Sequence, residues 1–266
     1  MPQNLTLLLP RDGRSIVIRS LLLILLILQP LAANASAHFR IAVAANFRST
    51  LEIILEQYRA AQPDVSIEFS SGSSGSLYQQ ILHGAPYQLF LSADSRYPKQ
   101  LEAQGLLHAN FRATYAIGEL VLWAPLAPLH HAKQISSSIT LAVANPKTAP
   151  YGRAAAEVIA ALSLQPLKII QGHSIAQVHQ FVASGNADAG FIARSQVLNT
   201  GQVISIEKNL YNPIQQQMAL LTPDNSAAKD FYRYLLTPAA QQIIRQHGYQ
   251  LPEPQSQEEI LGTHKP

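Results

Sequence analysis

The chain has 266 residues, no cysteine and a formal net charge of +3, from 19 Lys+Arg against 16 Asp+Glu. The absence of cysteine excludes disulfides, thiolate metal sites and a cysteine nucleophile. The small basic excess gives no electrostatic ground for a nucleic-acid partner.

The first 37 residues do not read as part of the fold. Arg11, Arg14 and Arg19 form a basic region, and Leu21 to Leu28 is an apolar run too short to span a bilayer. Ala33-Asn34-Ala35 and Ala35-Ser36-Ala37 both fit a small-x-small cleavage site. Residues 1–37 are therefore expected to be a secretory signal cut near Ala37/His38, with an N-terminal membrane anchor as the alternative. The signal takes three of the basic residues and one of the acidic ones, which leaves 16 and 15. No cysteine stands at the junction to carry a lipid, so a soluble protein in the periplasm of a two-membrane bacterium is expected.

About 229 residues follow, enough for one large or two small domains. Phe39 to Ala44 reads as a strand. Phe47, Leu51, Ile54, Leu55 and Tyr58 mark an amphipathic helix. Val65 to Phe69 and Gln88 to Ser92 read as the next strands, with a helix near Tyr97 to Gln104. Thr114 to Trp123 is a long extended segment. Thr140 to Ala144 then begins a second strand–helix series, with an alanine-rich helix from near Tyr151. A strand from Leu167 to Ile170, a helix from about Ile175 and a buried strand from Ala187 to Ala193 continue it. Ile214 to Thr222 is a second long extended segment. Helices near Ala227 to Leu236 and Ala239 to His247 close the fold, and residues 253–266 form a polar tail.

Alternating strands and helices predict an α/β protein. Two long extended segments around a central series predict a chain that leaves one domain, builds another and returns. One continuous doubly wound sheet is the alternative.

The motif of most chemical interest is Ser71-Gly72-Ser73-Ser74-Gly75-Ser76, between a strand and a helix with Leu77, Ile81 and Leu82 on one face. A helix N-terminus carries unpaired N–H groups and about half a positive charge. Hydroxyls add donors that rotate to suit a ligand. The arrangement suits a small anion, although the same turn also reads as a plain N-cap. No Gly-Lys-Ser/Thr follows, so it is not a phosphate-cradling loop. It does not fit Gly-x-Ser-x-Gly either.

Three other strand–helix junctions carry donors: Asn46, Pro150-Tyr151-Gly152 and Ser174-Ile175. Ligands of α/β sheets gather at such carboxyl ends of strands. His130-His131 reads as a solvated loop, His173 and His179 have no metal-ligand pattern around them, and Asp94 reads as either a catalytic acid or a cap. No Ser/His/Asp set can be assigned.

An ordered set of motifs resembles the periplasmic molybdate-binding proteins of ABC transporters. It comprises Val43-Ala44-Ala45-Asn46-Phe47, Ser71-Gly72-Ser73-Ser74-Gly75, Gly84-Ala85-Pro86-Tyr87 and Leu89-Phe90-Leu91-Ser92-Ala93-Asp94. Tyr115-Ala116-Ile117-Gly118, Asn145-Pro146, Ala149-Pro150-Tyr151-Gly152 and Gly185-Asn186-Ala187-Asp188-Ala189-Gly190-Phe191 complete it. The likeness runs from Ile41 to about Pro252.

The resemblance implies the class II type of two-domain periplasmic binding protein fold. Each domain would be a mixed sheet flanked by helices, joined by two crossing extended segments. The domains would be 38–117 with 213–252, and 118–212. It implies molybdate or tungstate held between them and delivered to a membrane permease, with no catalysis, no cofactor, no cation ligands and a monomeric chain. By position, Asn46 and Ser74 match ligand residues of the first domain. Tyr151 and Ile175 match positions offering backbone N–H groups, and Ala45 and Ser73 are weaker members of the set. Ala45 stands where some members carry a hydroxyl and Ala193 where some carry a tyrosine, while the Asn46 amide can replace a serine. A lyase-like periplasmic enzyme using Asp94 or His173, a receptor for another small anion, and the sensing half of a regulator are the competing readings.

Overall fold

The computed structural model describes residues 37–107 and 109–252. Residues 1–36 of the expected signal and the tail 253–266 lie outside the described residues, and Ala37, its expected last residue, begins the first strand.

The chain builds two five-stranded mixed sheets on one plan. In the first, β1 (Ala37–Ala44) is flanked by parallel β2 (Val65–Gly72) and β3 (Leu89–Leu91). β10 (Ile214–Leu220) runs antiparallel to β3 and to β4 (Arg112–Gly118), giving the order β2-β1-β3-β10-β4. In the second, β6 (Thr140–Ala144) is flanked by parallel β7 (Lys168–Gly172) and β8 (Ala189–Ala193). β5 (Leu120–Trp123) runs antiparallel to β8 and to β9 (Val203–Ser205), giving β7-β6-β8-β5-β9. Two mixed sheets, each flanked by helices, are what the resemblance implies.

Helices follow the parallel strands in each half. α1 (Arg48–Ala61) buries Leu51, Ile54, Leu55 and Tyr58, an i, i+3, i+4, i+7 stripe. α2 (Ser74–Leu82), α3 (Arg96–Ala103) and the closing helices α6 (Ser226–Tyr234) and α7 (Pro238–Gln246) complete the first domain. α4 (Pro150–Ala161) and α5 (Ile175–Ala183) serve the second. Each domain has its own core. Phe39, Ile41, Leu51, Tyr115, Met218 and Phe231 anchor the first, and Leu122, Leu141, Tyr151, Val178 and Phe191 the second. The central strands β1 and β6 are buried on both faces because helices cover each side.

The chain crosses between sheets twice. The first crossing is abrupt: β4 ends at Gly118 and β5 starts at Leu120, so the long extended segment read from sequence is two strands in different sheets. The second lies just before the extended segment Ile214 to Thr222. β10 belongs to the first sheet throughout, and residues 206–213 make the passage, with a short 3₁₀ turn at Lys208–Leu210. Glu157 of α4 ties this passage to the second domain by accepting from the Asn212 backbone at 2.6 Å and from its side chain at 3.1 Å. The short strand β9 was not legible in the sequence. β2 also runs further than expected, because Ser71 and Gly72 pair with Val43 and Ala44 before the chain turns.

Candidate functional site

One small cavity lies where β1 and β2 of the first sheet end and where α4 and α5 of the second domain begin. Its wall includes Ala45, Asn46, Ser73, Ser74, Tyr151 and Ile175, all six positions singled out in the sequence. Ala44, Gly72, Ala93, Ala149 and Pro150 complete it. The cavity is small: the space open to the centre of a water molecule is about 10 Å³. A sugar or peptide does not fit such a space; a single small ion does.

Three helices begin at the wall. α2 is capped by Ser73, whose Oγ accepts from the Ser76 N–H at 3.3 Å and lies 2.7 Å from the Ser76 hydroxyl. The Ser73 side chain therefore serves its own helix. Ser74, 1 % exposed, behaves differently. Its Oγ accepts from the Ala93 N–H at 2.9 Å, which leaves the hydroxyl proton for another acceptor.

α4 and α5 start without side-chain caps. Ala149 and Ser174 hold their N-cap positions, and neither side chain bonds to the helix. The first-turn N–H groups at Tyr151 and Ile175 thus keep their donor capacity, and the helix dipoles add positive potential. Gly152 lets α4 approach the end of β6 this closely: a Cβ there would lie 2.3 Å from the Ala144 carbonyl oxygen.

Two expected contributions change. The Ala45 N–H is bonded to the Gly72 carbonyl at 2.9 Å, so the contact of the missing hydroxyl is not replaced by that backbone group. The Asn46 amide nitrogen donates to Gln216 Oε1 at 3.0 Å and to the Tyr249 hydroxyl at 3.1 Å. Its two protons are spent inside the protein rather than held for a ligand. The Asn46 carbonyl accepts from Tyr249 at 2.8 Å and from Ser195 at 3.1 Å. Asn46 is thus pinned from both ends, and its part at the wall falls to the backbone. Ala193 is fully buried in β8 and does not line the cavity.

Behind the wall lies a buried polar cluster that was not legible in the sequence: Gln216, Tyr115, Tyr151 and Tyr249. Gln216 Oε1 also accepts from the Tyr115 hydroxyl at 3.1 Å, and Nε2 donates to the Tyr151 hydroxyl at 3.2 Å. Phe47 packs edge-on against Tyr115 and Tyr249, with centroids 4.8 and 5.4 Å away. Burial pushes all three phenols above their ordinary pKa, Tyr115 and Tyr151 well above. They stay neutral at physiological pH.

The domains also meet outside the cavity. The Gly75 N–H donates to the Thr148 carbonyl at 2.8 Å, and the Tyr97 hydroxyl to the Lys147 carbonyl at 3.3 Å. Arg153 of α4 pairs with Asp94 Oδ2. Asp94 Oδ1 accepts from the Ser92 hydroxyl at 3.0 Å and from the Tyr97 N–H at 3.2 Å at the start of α3. Asp94 is therefore a cap and a domain contact. Neither it nor His173 lines the cavity, and no lining residue carries a charged side chain. Among the described residues no group of His, Cys, Asp or Glu could hold a metal ion.

Residues 39–250 match the model of the bacterial extracellular solute-binding protein family. The chain belongs to this family. It is 40 % identical to the molybdate-binding protein ModA of Azotobacter vinelandii over 82 % of this chain and 92 % of that protein. It is 38 % identical to that of Rhodobacter capsulatus over 78 % of this chain and 86 % of the relative. Among solved structures, the periplasmic molybdate-binding protein of A. vinelandii superposes with a TM-score of 0.76 at 35 % identity, covering 81 % of this chain and all of the other. The resemblance read from the motifs therefore holds. These relatives are solute-binding proteins rather than enzymes, which removes the lyase reading.

Proposed function

We propose that this protein binds molybdate, or tungstate, in the periplasm and delivers it to the permease of an ABC transporter. One observation carries the reading. Two uncapped helix N-termini of the second domain face, across a cavity for one small ion, a serine hydroxyl whose oxygen is held so that its proton is free. A tetrahedral dianion offers four acceptor oxygens, and preoriented neutral donors stabilise it without reorganising.

In this reading the Ser74 hydroxyl and the backbone N–H groups at Asn46, Tyr151 and Ile175 hold the oxyanion. Ser73 contributes through its backbone, and Ala45 lines the wall without donating. The domains are 38–117 with 213–252, and 118–212, and the exported chain acts as a monomer cut near Ala37/His38. It needs no cofactor and no nucleic-acid partner. Donors on both sides reach the anion together only when the domains close, so the anion shifts the population toward that form.

Selectivity follows from size and protonation. Sulfate is smaller and leaves some donors out of reach. Phosphate carries a proton near neutral pH, and that proton needs an acceptor which a donor-lined wall lacks. Calorimetric titration with the four oxyanions tests this. Tight binding of molybdate and tungstate is expected, with sulfate and phosphate far weaker; sulfate competing equally with molybdate overturns the reading.

A further inference from the structure

Gln216 is completely buried and sits on β10 at a register shift between Gln216 and Gln217. Its single amide serves both walls. The Asn46 amide nitrogen and the Tyr115 hydroxyl both donate to Oε1. The Asn46 donor fixes the orientation of the Gln216 amide, because only its oxygen can receive an N–H; the Tyr115 hydroxyl also reaches the Ser92 carbonyl, 3.3 Å away. Nε2 is then directed at the Tyr151 hydroxyl in the other domain, 3.2 Å away.

Tyr151 consequently has two working ends. Its N–H lies in the first turn of α4, at the cavity, and its hydroxyl lies at Gln216 on the far side of a rigid ring. The packing there leaves no slack: a Cβ on Gly118 would fall 2.2 Å from the Tyr151 hydroxyl oxygen and 2.9 Å from Gln216 Nε2. Gly118 is also the last residue before the first crossing between domains.

We propose that Gln216 is a positioning residue for the bound oxyanion. It seats the Tyr151 ring, and with it the uncapped start of α4, against the wall that holds Asn46. The proposal rests on the oxyanion reading above. A cluster that served stability alone would give the unliganded fold its firmness and leave affinity untouched; a positioning role moves affinity through the Gln216–Tyr151 bond.

The test is a double-mutant cycle on the full exported chain. Wild type, Tyr151→Phe, Gln216→Met and the double variant are titrated with molybdate and melted without it. Tyr151→Phe removes only the hydroxyl and keeps the ring and the N–H. Each single variant is expected to raise Kd about tenfold, and the double variant also about tenfold, because contacting residues do not add. The unliganded melting temperature of Tyr151→Phe is expected to move by no more than a few degrees. A hundredfold rise in the double variant overturns the proposal, since the two side chains would then act independently. So does a Tyr151→Phe variant with wild-type Kd and a lowered melting temperature, a result that decides the matter even if Gln216→Met does not fold. A wild-type protein that ignores molybdate overturns the functional reading, and the proposal with it, and is seen before any variant is made.

Discussion

In the first domain the cavity wall offers one side-chain donor, the Ser74 hydroxyl, beside backbone groups. Ser74 presents a hydroxyl, Ser73 caps its own helix, and Asn46 is pinned by a buried network. In the second domain, which repeats the same strand order, the wall is bare backbone at the starts of α4 and α5. One layout thus reaches an anion in two ways. A hydroxyl is lost to a simple truncation such as serine to alanine, whereas a backbone N–H survives every substitution except proline. Otherwise the second wall is vulnerable to changes that move a helix.

The largest effect is expected where the backbone wall is displaced. Gly152→Ala places a methyl group against the Ala144 carbonyl, which cannot swing aside, so α4 must shift. Such overpacking costs roughly 1–3 kcal/mol of stability or more. A displacement of about 1 Å at the donors can cost about 100-fold in function. Thermal melting and titration of the variant check both. Wild-type affinity in Gly152→Ala would mean that the second wall is not set by the approach of α4 to β6.

Next comes the side-chain wall. Ser74→Ala is expected to weaken molybdate binding by roughly 1.5–3 kcal/mol, the range for a hydrogen bond to a charged group. It also frees the Ala93 N–H that the hydroxyl now holds. An unchanged dissociation constant in calorimetry removes Ser74 from the site.

Asp94→Asn separates two roles. The asparagine oxygen keeps the acceptor used by the Tyr97 N–H and the Ser92 hydroxyl, while the charge facing Arg153 is lost. The Asp94 and Arg153 side chains are 11 % and 28 % exposed, so solvent screens the pair only in part, and its loss is expected to cost more than the about 1 kcal/mol of an exposed pair. The loss should appear as faster molybdate dissociation in stopped flow. A fall in stability with unaltered dissociation would assign the pair to folding alone.

Ile175→Val gives the smallest effect and the sharpest contrast. Stability drops by about 0.5–1.5 kcal/mol because Ile175 is buried. The N–H remains, and affinity should stay within about 0.5 kcal/mol. A Ser74-sized loss of affinity here would show that the second wall works through its side chains after all.

The parallel strands and amphipathic helices were legible because their hydrophobic periods are long enough to count. β9 has three residues and no period. The break at Glu119 was hidden because Thr114 to Trp123 reads as one extended segment. Gln216 was hidden for a subtler reason. In a regular strand Gln215 and Gln217 would share one face and Gln216 the other. The register shift instead buries Gln216 and Gln217 in succession, and a run of three glutamines does not say which one enters the core. Five of the six cavity positions were legible because strand–helix junctions locate helix starts; Ala45 came only from the family resemblance. Which atoms each residue offers was not, since the bonds that occupy Asn46 and Ala45 come from residues distant in sequence.

The uncharged lining of the cavity has an electrophoretic consequence. With no titratable carboxylate or ammonium at the wall, and with the Tyr151 phenol held neutral by burial, a dianion enters without a compensating proton or counter-ion. The chain after residue 37 carries 16 basic and 15 acidic residues. With its nine histidines neutral, that chain has a formal charge of +1, which a guest with two negative charges takes to −1. Full and empty receptors should separate in a native gel near neutral pH. Loading would then be written into the migration of the protein as well as into the closure of its two halves.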